Sequence, residues 1–163
     1  MKRLIIALLG LASCSTLDSL NPENPDSYRA VGAQYGHTRL RSVDGSQTER
    51  SYVVSFDYRP HQDDSLTSEV AFEKLDGIAD CVHVGVRYPF NVNGDVQPSL
   101  GVGASGLFLY GSDDDVEGAI YGSARCDFKV SGPWSWGAGL RVWDSEGIDL
   151  DGRALTLGLK AEF

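Results

Sequence analysis

The side chains in this sequence that could do chemistry are few and widely spaced. The histidines are His37, His61 and His83. His61 lies among turn residues, where a solvated side chain is the simplest explanation. His37 could serve as a base for a nearby serine, but Thr38 and Arg39 follow it directly, with no serine beside them. We therefore predict no catalytic residues.

An acidic run is the other candidate for chemistry. Asp113, Asp114, Asp115 and Glu117 could bind Ca²⁺ weakly. They lack the spaced oxygen ligands and the central glycine of an EF-hand loop, and no His or Cys residues are spaced for a zinc site. The sequence predicts a solvated loop here, with no metal site and no cofactor.

The overall composition limits the possible partners. The chain has 163 residues, with 14 basic and 23 acidic residues and a net charge of −9. Binding to a nucleic-acid backbone requires clustered Lys and Arg, so nucleic acid is not an expected partner. No apolar run reaches the roughly 18 to 20 residues of a membrane-spanning helix, so a membrane-spanning form would have to consist of strands.

The N-terminus has the pattern of an export signal. Lys2 and Arg3 precede an apolar run over 4–12, and the sequence Leu-Ala-Ser-Cys ends at Cys14. This tetrapeptide resembles the bacterial lipobox, which implies lipidation of Cys14; ordinary cleavage nearby is the alternative. We predict a signal peptide over 1–13, a flexible Pro-containing linker over 14–27 and a folded domain over 28–163.

Period-two alternation of apolar and polar residues dominates the folded domain, and it is clearest over 154–163. The faces of the first segment cannot be assigned from the sequence. The alternating segments, separated by turn residues, are approximately 28–41, 49–59, 66–75, 81–90, 96–110, 118–130, 134–143 and 154–163.

The polar face of these segments carries charges near mid-strand among many Gly and Ser residues. Small residues allow a narrow barrel to close, and opposite charges could pair inside it. We predict a lumenal charge cluster of Glu69, Glu73, His83, Arg87, Arg125, Asp127 and Arg141.

Aromatic residues on the apolar face fall near strand ends, with aliphatic residues between them. Two such belts are typical of a bilayer, because aromatic rings favour its interfaces. If the first strand starts on the periplasmic side, the inner belt contains Tyr58, Tyr88, Phe90, Phe128, Trp134, Trp136 and Phe163. The outer belt contains Tyr52, Phe72, Phe108 and Tyr110.

The last segment, with alternating apolar residues and a terminal Phe163, resembles the final strand of Gram-negative outer-membrane barrels. The domain as a whole is similar to the small eight-stranded barrels of that class, the OmpA membrane domain, OmpX and opacity-type proteins. This resemblance implies an all-β, eight-stranded antiparallel up-and-down transmembrane β-barrel in the outer membrane. It also implies membrane lipid and the barrel-assembly machinery as partners. We expect a monomeric, non-conducting protein with a structural or surface role.

Two alternatives remain open from the sequence. The first is a soluble lipid-anchored barrel that binds a small apolar ligand, and the second is a barrel enzyme that modifies lipid. In the assigned strands Cys81 has lumenal parity and Cys126 has lipid-facing parity, so we predict that both are free thiols.

Overall fold

All the secondary structure in the described part of the chain is β-strand. The computed structural model describes residues 27–42, 45–61, 66–110, 116–145 and 150–163. The predicted signal peptide, the linker up to residue 26, Cys14 and Asp113 to Asp115 lie outside the described residues. The strands are β1 Tyr28–Ser42, β2 Gly45–Arg59, β3 Thr67–Leu75, β4 Ala79–Pro89, β5 Val96–Leu109, β6 Val116–Ser131, β7 Trp134–Ser145 and β8 Leu150–Glu162.

The strands form a closed antiparallel barrel in sequence order, as predicted. Closure comes from the pairing of β1 with β8, whose register includes Tyr35 opposite Leu157. The backbone N–H of Phe163 donates to the carbonyl of Arg29 at 2.9 Å, so the last residue is tied to the first strand. We call the end at which β1 begins and β8 ends the terminal end, and the opposite end the distal end. Within the described residues no helix has the length and apolarity needed to cross a membrane.

Short turns connect most of the strands. The turn between β3 and β4 contains Gly77 at φ 76°, and the turn between β6 and β7 contains Gly132 at φ 57°. These left-handed backbone angles are strained for residues with a Cβ, so glycine is the suitable residue at both positions.

The apolar face of the barrel points outward. Leu157 has 62% of its surface exposed, whereas Lys160 on the other face of β8 is buried. In β4, Val84 lies on the face opposite the buried His83. A soluble barrel that binds an apolar ligand needs the reverse arrangement, so that alternative does not fit this fold.

Candidate functional site

An apolar plug fills the distal end of the lumen. Trp143 is its largest side chain, and its indole ring packs directly over Gly152, where a Cβ would overlap the ring. The plug consists of Leu40, Leu75, Ala79, Cys81, Leu107, Ala119, Tyr121 and Trp143, with Ile78 and Leu109 packed against it. The sequence analysis missed this plug, because apolar residues with lumenal parity interrupt the expected polar face.

Tyr121 joins the plug to the polar lumen below it. Its ring lies over Gly85 and Gly103, where a Cβ would overlap the Tyr121 side chain. The rings of Tyr121 and His83 meet edge to face, with centroids 5.5 Å apart. The glycines on the polar face therefore make room for large lumenal side chains in a narrow barrel.

Glu73 is the centre of a hydrogen-bond network beneath the plug. Its Oε1 accepts from Thr38 Oγ1 at 3.0 Å and from Ser51 Oγ at 2.5 Å. Its Oε2 lies 2.9 Å from His83 Nε2 and 3.3 Å from Arg141 Nη1. One carboxylate on β3 thus contacts side chains from β1, β2, β4 and β7.

A second set of ion pairs crosses the middle of the lumen. Glu69 Oε1 accepts from Arg141 Nη2 at 2.9 Å, and Glu69 Oε2 lies 3.3 Å from Arg87 Nη1. Arg87 Nη2 also donates to Asp57 Oδ2 at 2.5 Å. An isolated buried charge costs roughly several kcal/mol of stability, and the pairing of these charges offsets that cost.

The terminal half of the lumen contains a third group. Asp127 accepts from Arg125 Nε at 2.7 Å through Oδ1, and from Lys160 Nζ at 2.8 Å through Oδ2. This group brings β6 and β8 into the network. A cavity of about 20 Å³ lies nearby, between Gln34, Glu69, Arg87 and Arg141. This volume is close to that of about one water molecule, so the lumenal side chains around this gap are closely packed.

The structure therefore brings all seven residues of the sequence-derived lumenal cluster into the barrel interior. Glu69, Glu73, His83, Arg87, Arg125 and Asp127 are buried, and Arg141 is largely so. The sequence analysis did not include Asp57, Lys160, Thr38, Ser51 or Ser105 in that cluster. Their parity is lumenal, but contacts across the lumen depend on the stagger of the barrel, which the sequence pattern does not specify.

Ser105, His83 and Glu73 have the connectivity of a serine–histidine–carboxylate triad. His83 Nδ1 lies 2.7 Å from Ser105 Oγ, and His83 Nε2 contacts Glu73. Such a triad needs a substrate beside the hydroxyl and donors for an oxyanion. Ser105 has only 1% of its surface exposed, and His83 has none. The arrangement therefore fits a structural network that links β3, β4 and β5.

The outward face carries the aromatic residues near both ends of the barrel. Tyr88, Phe90, Phe128, Trp134, Trp136 and Phe163 are exposed toward the terminal end, and Tyr52, Phe72, Phe108 and Tyr110 toward the distal end. Tyr110 donates to Asp80 Oδ1 at 2.7 Å, a hydrogen bond that raises the pKa of the Tyr110 hydroxyl. Tyr35, which the sequence analysis left unassigned, pairs with Tyr52 at a centroid distance of 5.3 Å.

Tyr58 requires a correction. It has the outward parity, but it lies between Arg29 and Ser68 in the register and is only 6% exposed. Tyr58 is therefore not an exposed member of the inner aromatic belt.

The remaining candidates within the described residues are His37, Cys81 and Cys126. Among the residues that the structure describes, no group of three His, Cys, Asp or Glu side chains could hold a metal ion. His37 is exposed on the outer face of β1, and its ring centroid lies 5.8 Å from that of Tyr35. Cys81 and Cys126 are free, as predicted.

Comparison with known proteins identifies the fold. No protein-family model and no curated protein sequence matches the chain. The structure is similar to Neisserial surface protein A, with a TM-score of 0.68, 19% identity, and coverage of 83% of this chain and 97% of that chain. The N-terminal β-barrel domain of Pseudomonas aeruginosa OprF matches with a TM-score of 0.65 and 15% identity, over 85% of this chain and 98% of that chain. Ail, the attachment invasion locus protein of Yersinia pestis, matches with a TM-score of 0.62 and 13% identity, over 85% of this chain and 99% of that chain.

The chain has the fold of the small eight-stranded transmembrane barrels. At these identities the comparison concerns the fold alone. The largely apolar outward face and the filled lumen agree with this fold, because lipid contacts the outside of such a barrel and side chains fill the inside.

Proposed function

We propose that this protein is a filled, non-conducting barrel of the outer membrane with a structural or surface role and no enzymatic activity. The closed lumen is the observation that supports this proposal most strongly. A plug that includes Trp143 lies above a network centred on Glu73, and the cavity below has only about 20 Å³. An ion path would require both layers to open.

The proposal includes an orientation. The terminal end faces the periplasm and the distal end faces the outside. The predicted N-terminal export signal supports this orientation, because a lipidated Cys14 and the start of β1 would then lie on the same side of the membrane. The C-terminal strand ending at Phe163 is the segment that the assembly machinery would recognise. A similar barrel is named a surface protein, which supports a surface role.

Cold and heated SDS gels test the membrane barrel, and bilayer recordings test the closed lumen. We expect the folded protein to migrate differently before and after boiling, and to resist extraction from membranes with carbonate. Reconstituted protein should give no stepwise conductance. Release by carbonate would contradict the membrane assignment, and stable channel steps from the wild-type protein would contradict the closed lumen.

Labelling with radioactive palmitate tests the proposed anchor. Incorporation should be lost in Cys14→Ser and retained in Cys126→Ser, a matched substitution in the barrel. Absence of label from the wild-type protein would instead support ordinary cleavage of the signal.

A further inference from the structure

The outward face at the distal end carries a cluster of arginines. Arg39 and Arg41 lie on β1, Arg50 on β2 and Arg153 on β8, and all four side chains are exposed. We call these residues the distal basic patch. None of the ion pairs among the described residues includes any of them.

The strand register places like charges together in this patch. Arg39 lies directly opposite Arg153 across the β1–β8 closure. Like charges at directly opposed positions destabilise a sheet, with Cβ atoms about 5 Å apart. Arg41 lies opposite Asp151, so this pair marks the edge of the patch and adds little net charge. An anion held between Arg39 and Arg153 would remove the repulsion.

The aromatic pair Tyr35 and Tyr52 sets the height of the patch relative to a bilayer. Tyr rings favour the headgroup region of a membrane. His37 and Arg50 come two residues distal of these rings, which is about 7 Å along a strand, or about 5 Å along the membrane normal at a tilt of about 40°. Arg153 lies two residues distal of Leu155, which is exposed on the lipid-facing surface. Arg50 and Arg153 therefore lie just beyond the apolar band, at the level of lipid headgroups, and Arg39 lies beside Arg153 in the register.

The patch also has a concave surface. Arg39, Arg41 and Arg153 line a depression of about 490 Å³ together with Ser42, Ser46 and Asp151. Arg39 Nη2 donates to Ser46 Oγ at 3.3 Å, which holds one guanidinium at its edge. Guanidinium groups bind phosphate oxygens in a bidentate manner. The outward charged side chains at the same end of β4 and β7 are instead acidic, Asp80 and Asp144, so the positive face is confined to one side of the barrel.

We propose that the distal basic patch binds the phosphate groups of lipid headgroups in the adjacent leaflet. Arg39 and Arg153 together bind one phosphate, and Arg50 binds a second. This inference rests on the proposed membrane location and orientation, and it adds a lipid ligand on one side of the barrel. Basic side chains at a membrane surface contribute about 1 kcal/mol each toward anionic lipid, and a preformed pair of guanidiniums adds geometric selectivity.

Native mass spectrometry of the full-length folded protein tests this site, with lipid A carrying its phosphates and dephosphorylated lipid A as the two probes. We expect the phosphorylated lipid to bind at least about tenfold more tightly. The double variant R39Q/R153Q should lose that preference, and R39K/R153K should keep part of it. Lys129→Gln, which removes an exposed charge near the terminal end, should bind as the wild type does.

Several outcomes would overturn the proposal. The wild-type protein could bind the two lipids equally, or R39Q/R153Q could keep the wild-type preference for the phosphorylated lipid. Lys129→Gln could lose that preference as fully as R39Q/R153Q does. Inorganic phosphate alone, at low millimolar concentration, could displace the lipid. The last outcome would indicate a site for free phosphate rather than for lipid. Heat-dependent migration is measured on the same samples, so loss of lipid binding with migration intact separates a failure of this inference from a failure of the barrel assignment.

Discussion

Glu73 shows at the level of one residue how the lumen is held together. Its two oxygens contact Thr38, Ser51, His83 and Arg141. His83 is in turn hydrogen-bonded to Ser105. A carboxylate buried in this way is stable only because its partners neutralise and solvate it. Its removal leaves a buried guanidinium short of a counter-charge and two hydroxyls without their acceptor.

We expect Glu73→Ala to lower the free energy of unfolding by about 3 to 5 kcal/mol, the usual cost of removing one partner from a buried ion pair. Glu73→Gln should cost less, because its carbonyl oxygen still accepts hydrogen bonds. Unfolding in guanidinium from lipid vesicles, followed by tryptophan fluorescence, measures the effect. The matched control is Glu49→Ala, since Glu49 joins no ion pair among the described residues. Equal effects of the Glu73 and Glu49 substitutions would refute the role given to Glu73.

Ser105 provides a direct test of the enzymatic alternative. Because its hydroxyl is enclosed by the barrel wall and the plug, we expect no reaction with a fluorophosphonate probe while the protein is folded. Labelling that disappears in Ser105→Ala but persists in Ser99→Ala, a second buried lumenal serine on β5, would show an accessible and activated nucleophile.

At the level of elements, the closure of β1 on β8 depends on close backbone approach. Gly36 lies opposite Thr156, and a Cβ on Gly36 would come within 2.8 Å of the Thr156 Cα and the Leu155 carbonyl carbon. Backbone atoms cannot move aside as a flexible side chain does, so the sheet itself would have to shift.

Gly36→Ala should therefore destabilise the barrel by about 1 to 3 kcal/mol through overpacking. Gly122→Ala is the matched control, because a Cβ there meets nothing within 4 Å. Heat-dependent migration at graded temperatures compares the two variants. A Gly36→Ala protein as heat-resistant as Gly122→Ala would contradict the close approach of β1 and β8.

The number of strands and their faces could be predicted from the sequence wherever alternation was regular. In β8, Leu155, Leu157 and Leu159 face outward and Lys160 faces the lumen, as the period-two pattern indicates. The distal ends could not be predicted, because the two faces exchange polarity there. Leu40 and Trp143 point inward into the plug, while Arg39 and Arg153 point outward.

This exchange explains why the faces of β1 could not be assigned. Its distal half carries apolar residues on the lumenal face and basic residues outside, so neither face is uniformly apolar. Hydrophobic pattern specifies a face only when one environment extends along the whole strand. Along β1 the outward face passes from lipid to headgroups, and the lumenal face passes into the plug.

At the level of the whole molecule, the barrel is layered from the terminal to the distal end. Ion pairs of Asp127, Glu69 and Glu73 fill the lumen in succession, and the plug closes it. Outside, an apolar band lies between two aromatic belts, with the distal basic patch beyond one of them. The outer surface matches the layers of a bilayer, and the filled lumen matches a barrel without an open channel. Together they support the proposal of a closed structural barrel.

Spin labelling along β8 in vesicles tests the central claim most directly. Single cysteines at residues 155, 156, 157, 159 and 160, in a background of Cys14→Ser, Cys81→Ser and Cys126→Ser, report which side chains contact lipid. We predict high oxygen accessibility and low accessibility to aqueous nickel reagent at 155, 157 and 159, and restricted labels at 156 and 160. The reverse alternation, or aqueous access at Leu157, would contradict a membrane-spanning barrel with its apolar face in lipid.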